Sequence, residues 1–309
     1  MLEFKPLLLE AKDLLDPFFC EFGEGSCQHS FAAAFCLKEK YGNRYCIKDD
    51  FLFLLREKRC SKSERVYLFP LGDMTDISAT RRAVDTLFED ARQNGKKLVF
   101  ETVTERAKDF LEAQYPEQFN MEEKRNNAEY IFSREKLAEL PGKEYEGRRW
   151  EVHRFQKEYE GRYSIEELKP AHFEEVKIFS RRWYDDFYTE ETNAQLRAEE
   201  NALNLALKHF YELDLHGLVI LIDGKIAAFE YGTILNKNTY DGFVEKADRS
   251  YKYIYKMLNN SVAKRCPNTI EWLNWEEDLG HEGLRKMKLS YRPEYLIKKY
   301  LVKEKGLKN

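Results

Sequence analysis

The residues best suited to chemistry gather near the end of the chain. Leu273-Asn274-Trp275-Glu276-Glu277-Asp278-Leu279-Gly280 closes a run rich in Thr, Ile, Trp and Leu, then breaks into a loop with three carboxylates and a glycine. Gly283-Leu284-Arg285-Lys286-Met287-Lys288 reads as a short basic helix, followed by Ser290-Tyr291-Arg292-Pro293 and a last strand ending at Val302. Glu245 and Lys246 end the preceding strand, and Asp248 lies in the turn beyond it. Polar groups just past a strand's carboxyl end are where α/β folds bind ligands. Glu245, Glu276 and Asp278 are candidates to take a proton or hold an ammonium group. Lys246, Arg285 and Lys288 are candidates to receive a phosphate or an oxyanion, and Tyr291 to donate a proton. The plain alternative is a solvated acidic loop beside an exposed basic helix face.

The elements that must position these residues follow from periodicity. Arg44–Ile47 and Phe51–Leu55 are extended runs split by a Lys48-Asp49-Asp50 turn, and Arg65–Leu71 continues the meander. Ala83, Val84, Leu87, Phe88 and Ala91 recur at helical spacing within 80–94, ended by Gly95. A buried strand at 97–103 and a helix at 105–114 follow, while Pro17 opens or closes a short helix near Leu14. The second half repeats the order: a strand at 162–168, helices at 171–184 and 191–213, and strands at 217–222 and 225–235 around the hairpin pair Asp223-Gly224. A strand at 239–244, a helix from Ser250 and the strand from Thr269 complete it. This predicts a mixed-sheet α/β (α+β) chain of two domains, 1–145 and 146–309, joined through the Arg- and Lys-rich segment near 135–155. The repetition is of architecture; no sequence repeat is present.

At 309 residues with 43% hydrophobic content, including 19 Tyr and 21 Phe, the chain can fill two cores. A net charge of −4 argues against nucleic-acid binding by bulk charge and leaves room only for a local basic patch. The start, Met1-Leu2-Glu3-Phe4-Lys5, lacks the signal-peptide pattern, and no apolar run reaches membrane-spanning length, so the expected location is cytoplasmic. Six cysteines, at 20, 27, 36, 46, 60 and 266, have no metal-ligand spacing, and no metal is expected.

Three blocks resemble the C-terminal family of the phosphatidylglycerol lysyltransferases, tandem acyltransferase domains of the GNAT (N-acetyltransferase) type. One is Asn274-x-Glu276-x-Asp278-Leu279-Gly280 with Gly283-Leu284-Arg285-Lys286 and Lys288-x-Ser290-Tyr291-x-Pro293. A second comprises Tyr130–Ser133, Leu140-x-Gly142-Lys143 and Arg148-Arg149 through Arg154-Phe155; the third is Glu245–Asp248. Trp275 stands where that family has arginine, and Glu277 where it has glutamine. The resemblance implies acyl transfer, with Glu245, Glu276, Asp278 and Tyr291 as candidate catalytic groups. Lys246, Asp248, Asn274, Arg285 and Lys288 would then bind substrate.

GNAT domains hold the coenzyme A pyrophosphate on a glycine-rich turn after the fourth strand. Here that turn is Ala247-Asp248-Arg249-Ser250-Tyr251-Lys252-Tyr253, without glycine and with an aspartate suited to capping the next helix. Leu71-Gly72-Asp73-Met74-Thr75-Asp76, in the first domain, departs similarly. No cofactor is assigned. Aminoacyl-tRNA, the family's donor, or an acyl-coenzyme A is the candidate co-substrate, with tRNA the candidate partner. Acceptors left open are a small amine or hydroxyl, a peptide or a lipid headgroup. The alternative class is a catalytically weak module recognising an aminoacyl-tRNA or a protein. Parallel-strand geometry further predicts that Asn274, Glu276, Asp278, Arg285 and Lys288 line one cleft of the second domain, with Glu245 and Lys246 facing it. An Asp278–Arg285 pair would instead be structural for both.

Overall fold

The protein is seen here in a computed structural model that describes residues 2–185 and 193–306. The chain begins β1 (Lys5–Pro6), α1 (Lys12–Phe22), α2 (Phe31–Cys36), α3 (Lys38–Tyr41), β2 (Asn43–Lys48), β3 (Phe51–Arg56) and β4 (Glu64–Tyr67). It continues α4 (Ile77–Gln93), β5 (Lys97–Val103), α5 (Glu105–Gln114), β6 (Phe119–Glu123) and β7 (Glu129–Ser133). Next come α6 (Arg134–Glu139), α7 (Glu146–Glu158), β8 (Tyr163–Glu167), α8 (Pro170–Asp185) and α9 (Asn193–Lys208). The last part is β9 (Leu215–Ile222), β10 (Lys225–Ile234), β11 (Thr239–Ala247), α10 (Ile254–Arg265), β12 (Trp272–Asn274), α11 (Glu282–Ser290), β13 (Tyr295–Ile297) and β14 (Tyr300–Glu304). Of the helix expected over 191–213, residues 191–192 lie outside the described residues.

Local chemistry explains most of these elements. All six residues of β3 are buried, as befits a strand with neighbours on both sides and cover on both faces. The α4 helix starts where the Asp76 carboxylate accepts the Ala79 N–H, and it buries Ala83, Val84, Leu87, Phe88 and Ala91 along one stripe. Asp223 and Gly224, both at positive φ, form the two-residue turn that pairs Lys225 with Ile222. Pro17 lies inside α1, where buried Leu15 and Phe19 hold the helix on either side of it. The basic segment expected as the join between domains forms α6 and α7, because Leu137, Val152 and Phe155 have a core to enter. The strand expected from Thr269 is shorter, only Trp272–Asn274.

Two mixed sheets of seven strands result. The first has the order β1-β2-β3-β4-β5-β14-β6, and the second β13-β7-β12-β11-β10-β9-β8. Each contains a parallel pair beside antiparallel ones: β4 with β5 in the first, and β11 with β12 in the second. The compact units are not consecutive in sequence. Unit 1 comprises Met1–Tyr130, Glu277–Ser290 and Tyr295–Asn309, and unit 2 comprises Ile131–Glu276 and Tyr291–Glu294. The division expected between residues 145 and 146 therefore differs from the one observed, which falls inside β7 and returns most of the C-terminal segment to unit 1. The cause is β14, which inserts between β5 and β6 and pairs with both.

Val302 of β14 is fully buried in the unit 1 core, with Phe100, Leu111 and Phe119 in the same cluster. A chain ending at Ile297 exposes the edges of β5 and β6 and opens that core. Its melting temperature, followed by circular dichroism, is expected to fall by more than about 10 °C. An unchanged melting curve would mean that the strand is dispensable.

Candidate functional site

In unit 2 the candidate site forms where β10 and β11 lie antiparallel with Glu230 and Glu245 as register partners, so that both side chains share a face. Glu230 is buried, and that burial pushes its carboxyl well above the ordinary range. The Tyr240 hydroxyl donates to it at 2.9 Å. On α10, the side-chain amide of Asn259, oriented as its neighbours require, donates to both Glu245 oxygens at 2.8 and 3.0 Å. Two carboxyl groups on one face thus have different partners, one a phenol hydroxyl and the other a side-chain amide.

Tyr291 completes the cluster. It is buried, packs edge-to-face on Trp275 with ring centroids 5.0 Å apart, and carries two cations at its ring: Arg148 at 4.5 Å and Lys256 at 4.9 Å. Burial pushes the Tyr291 phenol up, so it remains a proton donor across the neutral range. Burial and then Arg148 hold the Lys256 ammonium below its ordinary value, against Glu151 and Glu245, which raise it. Arg148, Lys256, Asn259 and Tyr291 line a closely packed seam with no room for a water-sized molecule. Ammonium, guanidinium and phenol meet along it, and Asn259 links it to the Glu245 carboxylate; these group types can move a proton and stabilise an oxyanion.

The turn before α10, the expected pyrophosphate cradle, is satisfied by the chain itself. The Asp248 carboxylate accepts the Ser250 N–H at 2.8 Å, and the Tyr159 hydroxyl accepts the Lys252 N–H at 3.0 Å. Asp248 thus closes a side-chain turn two residues on, and does not cap the helix, whose preceding residue is Tyr253 at φ +63°.

Glu245 and Lys246 do not face one opening, because successive strand residues point to opposite faces. Glu245 meets α10. Lys246 is buried against α8, where its ammonium donates to Ser180 Oγ at 2.9 Å and lies 3.3 Å from the Tyr184 ring centroid. Burial lowers its pKa to about 7, although Glu199 raises it. Between about pH 7 and the ordinary value of 10.5 the unfolded chain carries the extra proton, so unfolding free energy should rise with pH across that window. The total is at most about 5 kcal/mol. Lys246→Met should flatten that slope and be relatively most stabilising below pH 7, as urea denaturation at pH 6, 8 and 10 would read out.

The acidic loop and basic helix behave otherwise. Asn274 is fully buried, and its side-chain oxygen accepts the Glu276 N–H at 2.8 Å, turning the chain as Glu276 enters the left-handed region at φ +53°. Both belong to unit 2, and Asp278, Arg285 and Lys288 to unit 1. Asp278 is fully buried and accepts from Arg285 Nε at 2.8 Å, Arg285 Nη2 at 2.9 Å, the Tyr130 hydroxyl at 2.6 Å and the Gly280 N–H at 2.8 Å. Burial alone would raise its pKa, but the Arg285 and Tyr130 hydrogen bonds hold it far below the usual carboxylate range. Lys288 is buried and donates to the Glu277 carbonyl at 2.6 Å. In place of the single cleft expected in the second domain, these three tie a loop and a helix of unit 1 together.

Unit 1 also holds a buried polar knot that the sequence did not signal. Lys299 and Glu129, both fully buried, pair at 2.7 Å, and Glu129 accepts from Ser26 Oγ and the Cys27 N–H at 2.8 and 2.9 Å. Cys27, Glu129 and Glu277 approach metal-ligand spacing, but the Lys299 ammonium already supplies the cation. Sequence reading also missed Glu230, Arg148 as a site cation, Lys256 and Asn259. Asn259-Asn260-Ser261 on the buried face of α10 was the available signal, since buried polar groups need partners.

The chain belongs to the family described as phosphatidylglycerol lysyltransferase, C-terminal, whose model matches residues 21–303. Its architecture is that of tandem GNAT proteins. The crystal structure of a conserved protein of unknown function from Bacteroides thetaiotaomicron is 31% identical, with a TM-score of 0.90 over 99% of this chain and 100% of that one. FemX is similar in fold at 10% identity, with a TM-score of 0.68 over 97% and 96% of the two chains. L-PGS from Bacillus licheniformis is similar in fold at 16% identity, with a TM-score of 0.65 over 96% and 93%. An uncharacterized protein of Mycoplasmoides gallisepticum is 29% identical over 182 residues; the match covers 58% of this chain and 56% of that protein, little more than half its length. Among the described residues no helix is long and apolar enough to cross a membrane.

Proposed function

We propose that unit 2 is an aminoacyl-transfer site that takes its acyl group from an aminoacyl-tRNA and passes it to an amine or hydroxyl. The observation that carries this reading is the convergence of Glu245, Lys256, Arg148 and Tyr291 beside a turn whose anion-binding N–H groups are already occupied. In the reaction, the acceptor's nucleophile attacks the ester carbonyl while Glu245 takes its proton. Lys256 and Arg148 stabilise the oxyanion, and Tyr291 protonates the ribose oxygen as the ester C–O bond breaks. Tyr291 then recovers a proton from Glu245, so the products are the acylated acceptor and a free ribose hydroxyl.

Membership in a lysyltransferase family and likeness to FemX support aminoacyl transfer over acetyl transfer. The family's name points to a lysyl group and a phosphatidylglycerol headgroup as the first donor and acceptor to try. The test is release of labelled amino acid from charged tRNA into headgroup, peptide and small-amine acceptors, with lysyl-tRNA first. Calorimetry with acetyl-coenzyme A is expected to give a dissociation constant no tighter than about 1 mM. Micromolar acetyl-coenzyme A binding would overturn the donor assignment. Absence of transfer from every charged tRNA would favour a recognition module.

A further inference from the structure

Along the seam between α7 and α10 the side chains proposed to act are packed shut. Arg148 and Val152 of α7 meet Lys256 and Asn259 of α10 and Tyr291, with no room for a water-sized molecule. A substrate carbonyl can reach Arg148, Lys256 and Tyr291 only after one wall moves. Sites of this kind admit substrate by lifting a segment and exclude water when it returns.

The two walls are held unequally. α10 buries eight of its twelve residues, and the Asn260 side-chain amide donates to the Leu137 and Ala138 carbonyls of α6, each at 2.8 Å. α6 is pinned in turn, because the Arg134 N–H and Nε donate to the Glu271 and Ile270 carbonyls, both at 2.9 Å. In α7 only Val152 and Phe155 are buried, and from Pro141 to Glu151 the one buried residue is Tyr145. Phe155 seats the second half of the helix, with the Tyr159 and Tyr163 ring centroids 4.8 and 5.2 Å from its own.

The first turns of α7 are weak for reasons written in the sequence. Tyr145 precedes the helix and supplies no side-chain cap to its free N–H groups. Gly147 is a poorer helix former than alanine, and a Cβ there would meet nothing within 4 Å, so no close approach calls for the glycine. The connection from α6 turns on Leu140 at φ +49° and Gly142 at φ +68°. Arg149 ties it to the helix by donating to the Leu140 carbonyl and, at 2.7 Å, to the Gly142 carbonyl.

We infer that the first half of α7, Glu146–Val152, is a gate that peels from α10 while Phe155 holds the rest of the helix, and so admits the acyl ester to the seam. The gate rests on the proposed function for what it admits, while its opening is read without any transfer.

Hydrogen exchange of the full chain, followed by mass spectrometry, is expected to show the amides of residues 150–154 exchanging at least about tenfold faster than those of residues 258–263 in α10. A thiol placed by Val152→Cys should react with iodoacetamide through the same opening. Gly147→Ala should slow both readings by about fourfold, because alanine favours the closed helix. Arg149→Ala should speed both by about fivefold, because the connection loses its tie. Exchange in α10 should respond to neither. The gate is overturned by equal protection of α7 and α10, by a thiol indifferent to both substitutions, or by α10 exchange changing in step, which marks global unfolding. Transfer without such opening would strike the gate and leave the proposed function standing; opening without transfer would do the reverse.

Discussion

Lys299→Met is expected to destabilise unit 1 by about 3–5 kcal/mol, the usual consequence of removing one member of a buried ion pair. Lys299 and Glu129 are both fully buried and 2.7 Å apart. Without the ammonium, Glu129 keeps hydrogen bonds from Ser26 and Cys27 but must hold its charge away from water or take up a proton. The sign with pH follows. In the variant the folded-state pKa of Glu129 is raised above its unfolded value, so the deficit is full at neutral pH and shrinks as pH falls toward the ordinary carboxylate range. Urea denaturation at pH 5 and pH 8 should show the smaller deficit at pH 5; equal deficits would refute the ion-pair account. Lys299→Met combined with Glu129→Gln should recover much of the loss, because no buried charge remains. His29, whose pKa is lowered to about 4 by burial and then by Lys299, should titrate higher in the Lys299→Met variant by NMR.

Glu245→Gln is expected to lower the rate of any transfer by about 10²- to 10⁴-fold, the range for loss of a general base. The glutamine keeps the shape of the side chain and leaves the strand pairing with β10 intact, so the melting temperature should barely move. Tyr291→Phe tests the opposite end of the reaction: its ring contacts with Trp275, Arg148 and Lys256 survive while the transferable proton is lost. A kcat fall with unchanged substrate binding in both variants supports the proposed roles. If Glu245→Gln retains full activity, the base lies elsewhere. Asp278→Asn provides the contrast, since Asp278 is spent on Arg285 and Tyr130 within unit 1. That substitution should lower stability first, and activity only in step with it.

What was legible in the sequence is what depends on neighbours a few residues apart. The stripe of α4, the Asp223-Gly224 hairpin and the strand Lys97–Val103 each follow from local spacing and turn chemistry, so tertiary structure only accepted them. The doubled strand–helix order was visible for the same reason, and with it the mixed α/β class. The Asp278–Arg285 bond was within reach because the pair lies seven positions apart, from a loop to the first turn of one short helix. Glu245 and Tyr291 could be named as chemically apt, but not as members of one cluster. Their neighbours Glu230, Arg148, Lys256 and Asn259 come from β10, α7 and α10, and only packing brings those elements together. Which strand joins which sheet was equally closed to inspection: β14 lies about two hundred residues from β5 yet pairs with it. The physical reason is common to both. A backbone hydrogen-bond ladder or a buried polar cluster gains its energy from partners supplied by the whole fold, and the strand or side chain carries no local mark of which partners those will be.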